Sequence, residues 1–504
     1  MTAACASSQT TPGSTSTPGT AATAEPSGHE VFADISELRR SEEIPELFAL
    51  TCAESRSLPL SEDVTVDPVS LRGTGATLTA DTLTLPGGEG VFSFDADLDG
   101  VRTTVWVRCL PEGFPEFSAD GRFSSWLALT TANREHTNPG FQAVLDSSGF
   151  PIWVRERGAA LSDFYISDGA MLSFTARELP LGPYYNAPSY GYTLEEFDGT
   201  ARTSWVSSKG YGPDFHAAEI LPNGNLLAIL YEITPTPSLA KLGRIRSDPQ
   251  VPLVKSCPAG PAGPDAEVVR GRVVEIAPGG RVVRSWRVED VAPLPVRPGW
   301  ININGPGEPV RCVVDGDHLN AVSFIQDPKR SPGEGRVLVG GRSLNGAIAL
   351  DWPSGELLWT LGLGDGPRAL RLLGDPLGGP RLPHDARLLA TDLVSFFDNR
   401  ADFDGSRATV YRIDPVALTA TLEESYTTPC GANPCASIAL GSVRPVGKDA
   451  FLVAWGVPSR LVASEVSRPD GKVIASLGSE DDGAYRVLPV EPFDVEELLR
   501  AQQH

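Results

Sequence analysis

Apolar and polar positions alternate over short stretches along most of this chain, and turn residues separate the stretches. The pattern is clearest in Gly316–Gly362, GDHLNAVSFIQDPKRSPGEGRVLVGGRSLNGAIALDWPSGELLWTLG. Its apolar runs predict four short strands joined by turns, which is typical of one blade of a β-propeller. His318 lies at the opening of the first predicted strand, and Arg342 follows a Gly-Gly pair at the end of the second.

A turn followed by an outer strand recurs along the chain. The spacing is about fifty to eighty residues, in the range of repeat architectures. Six copies predict six blades, and they are Asp146–Trp153, Phe197–Trp205, Pro278–Trp286, Pro353–Trp359, Asp414–Leu422 and Pro469–Leu477. Two hairpin patterns, Glu219–Leu230 and Ser442–Val453, support the same fold. The innermost strand of each propeller blade faces a central channel, where residues from several blades meet.

The predicted fold class is therefore all-β, a six-bladed propeller preceded by a small β-sandwich-like domain. Residues 1–28 are rich in Ser, Thr, Pro, Gly and Ala and predict a disordered leader or tether. Residues 29–117 contain short alternating segments and predict the β domain. The propeller is expected over residues 118–485, and residues 486–504 are expected to form a short C-terminal helix or tail, with the helical pattern at Val490–Gln503.

Composition and charge narrow the possible functions. The 504 residues include 51 Gly and 44 Pro, which punctuate short strands. The net charge of −22 argues against a nucleic-acid partner, because nothing compensates repulsion by the phosphates. Any site for an anion therefore needs local positive charge. No apolar run reaches the length of about 18 residues that a transmembrane helix needs.

Seven cysteines bear on the compartment. Cys5 follows small residues that resemble the end of a bacterial lipoprotein signal, and a plain disordered leader is the alternative. The remaining six are an even number suited to disulfide pairing, and Cys430–Cys435 is a short turn that can close on itself. Free thiols in a cytosolic protein are the other interpretation. We expect an exported protein, periplasmic or at the cell surface, with lipidation of Cys5 left open.

Three of the six histidines occupy comparable positions in separate predicted blades. His216, His318 and His384 each stand directly before a predicted strand. A single histidine at a strand start is more often structural, but three in register in a chain poor in histidine favour a common site. We expect them to meet at the channel mouth with Arg342 and Asn320.

These motifs resemble the bacterial arylsulfate sulfotransferases, which do not need the nucleotide sulfate donor. The resemblance spans Arg108 to Gly478, and the segment GGRSLNG around Arg342 departs from the usual family sequence. The matching motifs, in order, are Arg108–Pro115, Asp214–His216, Leu221–Asn225, His318–Asn320, Gly341–Ser343 before Gly346, Trp359–Gly362 and His384–Ala386. The family implies a six-bladed propeller with its active site in the central channel.

By this resemblance His384 is the nucleophile that becomes transiently sulfated, and His216, His318 and Arg342 surround the sulfuryl oxygens. Asn320 is expected to contact the substrate or support the site. Neutral imidazole is a competent nucleophile near pH 7 because its ordinary pKa is about 6.5. The expected reaction moves a sulfuryl group from an aryl sulfate ester to a phenolic acceptor by a two-step route, with no organic cofactor.

Other interpretations use some of the same residues. Three histidines can hold a metal ion, although the arginine and the family motifs favour sulfuryl transfer. A propeller that binds a small ligand or protein partner in its channel without catalysis is the main alternative, because propellers host many functions. Cys52–Arg56 superficially resembles a sulfatase motif but has Glu54 where that motif has Pro or Ala. Asp402–Gly405 lacks the remaining ligands of a calcium loop.

Overall fold

The computed structural model describes residues 31–33, 35–133, 140–156, 164–167, 170–175, 191–206, 214–235, 267–288, 299–303, 311–362, 366–400, 405–430, 433–457, 459–480 and 482–503. The predicted leader over residues 1–28, including Cys5, lies outside these residues, and so does most of the calcium-like segment Asp402–Gly405. No helix in the described part of the chain is long and apolar enough to cross a membrane.

The N-terminal part forms two sheets around one apolar core. A five-stranded sheet has the order β1-β2-β8-β7-β4, and a three-stranded sheet has the order β3-β6-β5. Side chains from both sheets, including Leu58, Leu83 and Val107, pack in one cluster. The strands are β1 Arg39–Arg40, β2 Leu47–Thr51, β3 Arg56–Pro59, β4 Val64–Val66, β5 Thr77–Thr79, β6 Thr82–Leu85, β7 Gly90–Leu98 and β8 Val101–Leu110.

Six larger sheets follow in the described chain. Their first strands, in chain order, are β9 Phe117–Asp120, β10 Trp126–Asn133, β11 Phe141–Leu145, β12 Pro151–Glu156, β13 Phe164–Ser167, β14 Ala170–Thr175, β15 Gly191–Glu195, β16 Ala201–Ser204, β17 Ala218–Ile220, β18 Leu226–Pro235, β19 Glu267–Ala277, β20 Arg281–Arg287, β21 Gly299–Ile303 and β22 Arg311–Asp315. The later strands are β23 Leu319–Gln326, β24 Gly335–Gly341, β25 Gly346–Trp352, β26 Leu357–Leu361, β27 Arg371–Leu373, β28 His384–Ala390, β29 Leu393–Asp398, β30 Arg407–Asp414, β31 Thr419–Tyr426, β32 Pro429–Cys430, β33 Asn433–Pro434, β34 Ser442–Val446, β35 Ala450–Ala454, β36 Leu461–Ser467, β37 Val473–Ser479 and β38 Asp482–Val490.

Each large sheet contains four antiparallel strands, which follow chain order except that the C-terminal β38 takes the first place in sheet 1. Sheet 1 is β38-β10-β11-β12, sheet 2 is β13-β14-β15-β16 and sheet 3 is β17-β18-β19-β20 with β22 and β21 added. Sheet 4 is β23-β24-β25-β26, sheet 5 is β28-β29-β30-β31 with β27 added, and sheet 6 is β34-β35-β36-β37 with β9 added. Small meander sheets of this kind are the units of β-propellers, so the fold is all-β and propeller-like.

Apolar residues join each large sheet to the next. One cluster joins sheets 2 and 3, a second joins sheets 3 and 4, a third joins sheets 4 and 5, and a fourth joins sheets 5 and 6. The largest cluster joins sheet 1 to both sheet 2 and sheet 6. The C-terminal strand β38 also pairs with β10, which ties the end of the chain to its first large sheet.

The recurring turn glycine explains why the sequence repeat exists. Gly355 has φ +75°, and a side chain there would collide with the Trp286 indole of the preceding sheet. The turn glycine of one sheet thus lies against the outer strand of its neighbour, which requires a residue without a side chain. The same relation joins Gly199 to Arg155, Gly471 to Tyr426 and, from sheet 1 to sheet 6, Gly149 to Leu477.

The segment Gly316–Gly362 forms the predicted four strands, which are those of sheet 4. The predicted hairpins over Glu219–Leu230 and Ser442–Val453 are likewise present as β17-β18 and β34-β35. The C-terminal helix is shorter than the pattern Val490–Gln503 predicted. Helix α1 spans Val495–Arg500, because Val490 still pairs in sheet 1 and Pro492 disfavours helical backbone before it.

Cysteine pairing is confirmed in part. Cys52 and Cys109 form a disulfide that links β8 to the segment after β2 inside the N-terminal core. Cys435 is also disulfide-bonded. The expected disulfide bonding is therefore present in the N-terminal core and at Cys435.

Candidate active site

Three histidines from consecutive sheets lie side by side. His216 precedes β17 of sheet 3, His318 precedes β23 of sheet 4, and His384 begins β28 of sheet 5. The ring centroids of His216 and His318 are 5.5 Å apart, and those of His318 and His384 are 6.5 Å apart. Adjacent rings are close to perpendicular. The structure thus brings together the three histidines that the sequence placed in register.

His318 occupies the middle of this row on a constrained backbone. Its φ is +44°, in the left-handed region that few residues other than glycine adopt. Three hydrogen bonds hold this segment in place. Buried Asp317 accepts hydrogen bonds from Arg270 and from the amide of Gly271, and the amide of Arg342 donates to the His318 carbonyl at 2.8 Å. Backbone held in a sparsely populated conformation is common at functional sites.

The orientation of His384 is fixed by a neutral amide. Its Nδ1 lies 2.7 Å from Oδ1 of Asn399. The Asn399 amide nitrogen donates to Ser437 Oγ and to the Leu440 carbonyl, so the amide oxygen is the atom that faces the ring. An amide oxygen only accepts, and Nδ1 therefore carries the proton. Nε2 is left with its lone pair, as a nucleophile requires.

The environment of His384 keeps its imidazole neutral. Burial lowers its pKa well below the ordinary value, and the positive charges of Arg342, His318 and Arg486 lower it further. The Asn399 hydrogen bond opposes this shift. A buried base among cations resists protonation, so His384 retains its lone pair throughout the physiological pH range.

His216 is held by a carboxylate. The Nδ1 atom of its ring pairs with Asp214 Oδ1, which also accepts the backbone amide of His216 at 2.9 Å. Phe215 stacks on the imidazole at 4.3 Å, and the hydroxyl of Tyr485 donates to the His216 carbonyl. The pair with Asp214 leaves Nε2 as the ring nitrogen that faces away from this carboxylate.

Arg342 supplies a cation beside the histidines. Its backbone is anchored to His318, while its guanidinium forms no hydrogen bond or ion pair with any residue in the described part of the chain. The side chain is partly buried and close enough to His384 to lower the pKa of that imidazole. A guanidinium in this position can bind an anion with its N–H groups.

Asn320 connects two of the histidine strands. Its Nδ2 donates to the Pro383 carbonyl at 2.9 Å, directly before His384. Its buried Oδ1 has no hydrogen-bond partner among the described residues. Asn320 therefore supports the segment that carries His384.

The metal interpretation finds no matching arrangement in the residues described. Among them, no group of three or more His, Cys, Asp or Glu side chains is placed to hold a metal ion.

No family model matches this chain, and no curated protein matches it. Several solved structures are similar at low identity. A 6-phosphogluconolactonase-like protein from Bacteroides fragilis shares 12% identity with a TM-score of 0.36, over 73% of this chain and 99% of that one. The periplasmic gluconolactonase PpgL from Pseudomonas aeruginosa shares 12% with a TM-score of 0.38, over 73% and 99%. The β-propeller domain of Cps50 (Swd1) from Myceliophteria thermophila shares 10% with a TM-score of 0.34, over 73% and 92%.

Two residues of the site escaped the sequence analysis. Asn399 directly follows β29, the hairpin partner of β28, and lies two positions beyond Phe397, which pairs with His384. Period-two alternation across a predicted hairpin would have placed it beside that histidine. Arg486 comes from β38 and donates to the Asn320 carbonyl at 2.6 Å, across 166 residues. No local pattern signals a contact at that separation.

Proposed function

We propose that this protein moves a sulfuryl group from an aryl sulfate ester to a phenolic acceptor through a sulfohistidine at His384. The observation that carries the proposal is the state of His384. Its ring is buried, neutral and oriented by Asn399 so that Nε2 keeps its lone pair, with Arg342 and a second histidine beside it. This combination suits nucleophilic attack on an anionic centre.

In the first step His384 Nε2 attacks the sulfur of the donor. The N–S bond forms as the bond from sulfur to the phenolic oxygen breaks, and the electron pair leaves on that oxygen. Arg342 binds the sulfuryl oxygens and offsets their charge in a protein of net charge −22. The positive charge that develops on the His384 ring is stabilised by the negative sulfuryl group and by Asn399 Oδ1, which accepts the Nδ1 proton.

The leaving phenolate needs a proton. Its conjugate acid has a pKa of about 10, as for tyrosine, so protonation makes departure easier. His318 lies next to His384 and donates this proton, and His216, whose Nδ1 pairs with Asp214, lies on the other side of His318. General acid catalysis of this kind contributes roughly 10²–10⁴-fold.

The second step reverses the first with a new phenol. His318, now neutral, takes the proton of the acceptor hydroxyl as that oxygen attacks the sulfur of the sulfohistidine. The N–S bond breaks and its electron pair returns to His384 Nε2. The products are the aryl sulfate of the acceptor and the original enzyme. The route needs no cofactor and predicts ping-pong kinetics.

We infer that the frame of this site is a six-bladed propeller over residues 118–485. Six sheets of four strands, apolar clusters between successive sheets, and contacts of sheet 1 with both sheet 2 and sheet 6 support a closed ring. The two N-terminal sheets with one shared core support a small sandwich over residues 29–117. The Cys52–Cys109 disulfide supports export to an oxidising compartment, periplasmic or at the cell surface.

Turnover of 4-nitrophenyl sulfate with and without phenol tests the proposal. Phenol is expected to stimulate nitrophenolate release and to become phenyl sulfate. His384→Ala is expected to lose several orders of magnitude in rate, as expected for a lost nucleophile. Arg342→Gln is expected to lose ~10²-fold or more. Exposed Arg371 is the matched control, and Arg371→Gln should retain full activity. No release from any of a panel of aryl sulfates would favour a channel that binds a ligand without catalysis.

A further inference from the structure

A second polar cluster lies beyond the histidines, where the first strands of the sheets face one another. Tyr165 of β13 is its centre. The guanidinium carbon of Arg387 lies 6.0 Å from the centroid of the Tyr165 ring, and that of Arg444 lies 5.8 Å from it. Arg486 reaches the Tyr165 hydroxyl at 3.5 Å. Three arginines from three sheets thus converge on one aromatic side chain.

Two carboxylates pair with these arginines only in part. Arg387 Nη1 contacts Glu219 at 3.3 Å, and Arg444 Nη2 contacts Asp385 at 2.6 Å, while Arg486 Nε lies 3.6 Å from Asp385. Three guanidinium groups against two carboxylates leave one positive charge in excess. The protein as a whole has a net charge of −22, so this excess of positive charge is local to the cluster.

Several N–H groups of the cluster have no partner. Within the described residues, Arg387 uses only Nη1, which also donates to the Val322 carbonyl. Arg444 uses only Nη2, and its buried Nε has no hydrogen-bond partner. Buried N–H groups are nearly always paired, so ion pairs alone do not account for Arg444 Nε. The unpartnered N–H groups of Arg387 and Arg444 are suited to an anionic ligand.

The cluster is partly accessible. Burial raises the pKa of Glu219 despite the opposing charge of Arg387, yet 26% of the Glu219 side chain and 15% of the Arg387 side chain are accessible. A small ligand can therefore reach both side chains. Arg387 follows His384 by three residues on β28, a separation of at most about 10 Å along a strand. Arg444 contacts Asp385, the residue next to His384.

We propose that Arg387 and Arg444 form a second anion subsite, which binds a carboxylate or sulfonate at the far end of the aryl ligand. The subsite takes substrates or products that carry an acid group on the ring, opposite the oxygen that exchanges the sulfuryl group. The identity of the ligand as an aryl compound rests on the proposed function. The binding of its acid group does not, because it needs no sulfuryl transfer.

Calorimetric titration of the full chain with 4-hydroxybenzoate and with its methyl ester tests this subsite. The acid is expected to bind at least ~10-fold more tightly than the ester, as charged hydrogen bonds allow. Arg387→Gln should remove this preference, and Arg444→Gln is the second variant in case the first does not fold, with thermal melting as the check. Arg371→Gln, an exposed control, and Arg342→Gln should both keep the preference.

Equal affinity for acid and ester, or no binding of either, would overturn the subsite. The same follows if the preference persists in folded Arg387→Gln and Arg444→Gln, or if it disappears in Arg342→Gln, which would place the acid group among the histidines. A protein that prefers the acid but releases no nitrophenolate from aryl sulfates keeps the subsite and loses the proposed reaction. Sulfuryl transfer without a preference for the acid would keep the proposed reaction and overturn the subsite.

Discussion

Nδ1 of His384 lies 2.7 Å from the amide oxygen of Asn399, and this contact determines which ring nitrogen can react. The amide is itself fixed, since its nitrogen donates to the Leu440 carbonyl at 3.0 Å. The pair orients the ring without adding a negative charge. A carboxylate at the same position would hold the proton on the ring and favour imidazolium, which cannot attack sulfur.

Asn399→Asp tests this relationship directly. A carboxylate beside Nδ1 raises the pKa of His384, so the acid limb of the kcat/KM profile for 4-nitrophenyl sulfate should move to higher pH. Activity near pH 6 should fall more than activity near pH 8. The new carboxylate cannot donate to Ser437 Oγ and the Leu440 carbonyl as the amide does, so the melting temperature of the variant serves as the folding control. An acid limb at the same pH as in the wild type would contradict the assigned role of Asn399.

The pH profile of the wild type carries a second prediction. Burial and the charge of Arg342 hold the pKa of His384 well below 6.5, so protonation of this base should not limit activity until the pH is well below that value. Arg342→Gln removes one depressing charge, and the pKa should rise toward the ordinary value. The acid limb of the remaining activity should therefore shift upward. Arg371→Gln, with an exposed arginine replaced, should leave the limb unchanged.

Acid stability depends on a buried cluster in sheet 5. Arg407 binds both oxygens of Asp375 at 3.0 Å, and the Tyr411 hydroxyl donates to one of them at 2.6 Å. Burial raises the pKa of Asp375, but these hydrogen bonds lower it to about 2. The side chain is fully buried. Because the folded pKa is depressed below the ordinary 3.8, this stability is complete above about pH 5 and is lost as the pH falls through the folded value of about 2.

Asp375→Asn is expected to cost about 2 kcal/mol of unfolding free energy at pH 7, and the loss should shrink between pH 4 and pH 2. Urea unfolding at several pH values measures both effects. Asp392→Asn is the matched control, because Asp392 pairs with Arg412 at the surface with half of its side chain exposed. A constant difference from the wild type down to pH 2 would contradict the assigned role of Asp375.

The sequence predicted the repeating unit well because the unit is local. In Gly316–Gly362 the four strands are apolar runs, and the turns that separate them are short and rich in turn residues. The positions of His216, His318 and His384 at the start of their strands followed from the same pattern. Their closeness could be anticipated only through the repeat, because equivalent positions in successive packed sheets lie side by side.

The partners of these histidines were less accessible to sequence analysis. Asp214 stands in the quoted motif, but its role depends on a backbone turn that returns its carboxylate to His216. Asn399 required the register of a hairpin, and Arg486 required the pairing of the last strand with sheet 1. Tyr165 and Arg444 come from sheets 2 and 6, so only the assembled fold brings them together. Contacts of this kind follow from the packing of distant sheets and not from local pattern.

The most direct test of the account is the mass of the intact protein after brief exposure to 4-nitrophenyl sulfate in the absence of acceptor. The account predicts one added sulfuryl group, located at His384 by peptide mapping under non-acidic conditions, and its loss when phenol is added. His384→Ala should show no adduct, whereas Arg371→Gln should show it in full. An adduct on another residue, or nitrophenolate release with no adduct under single-turnover conditions, would contradict the sulfohistidine route.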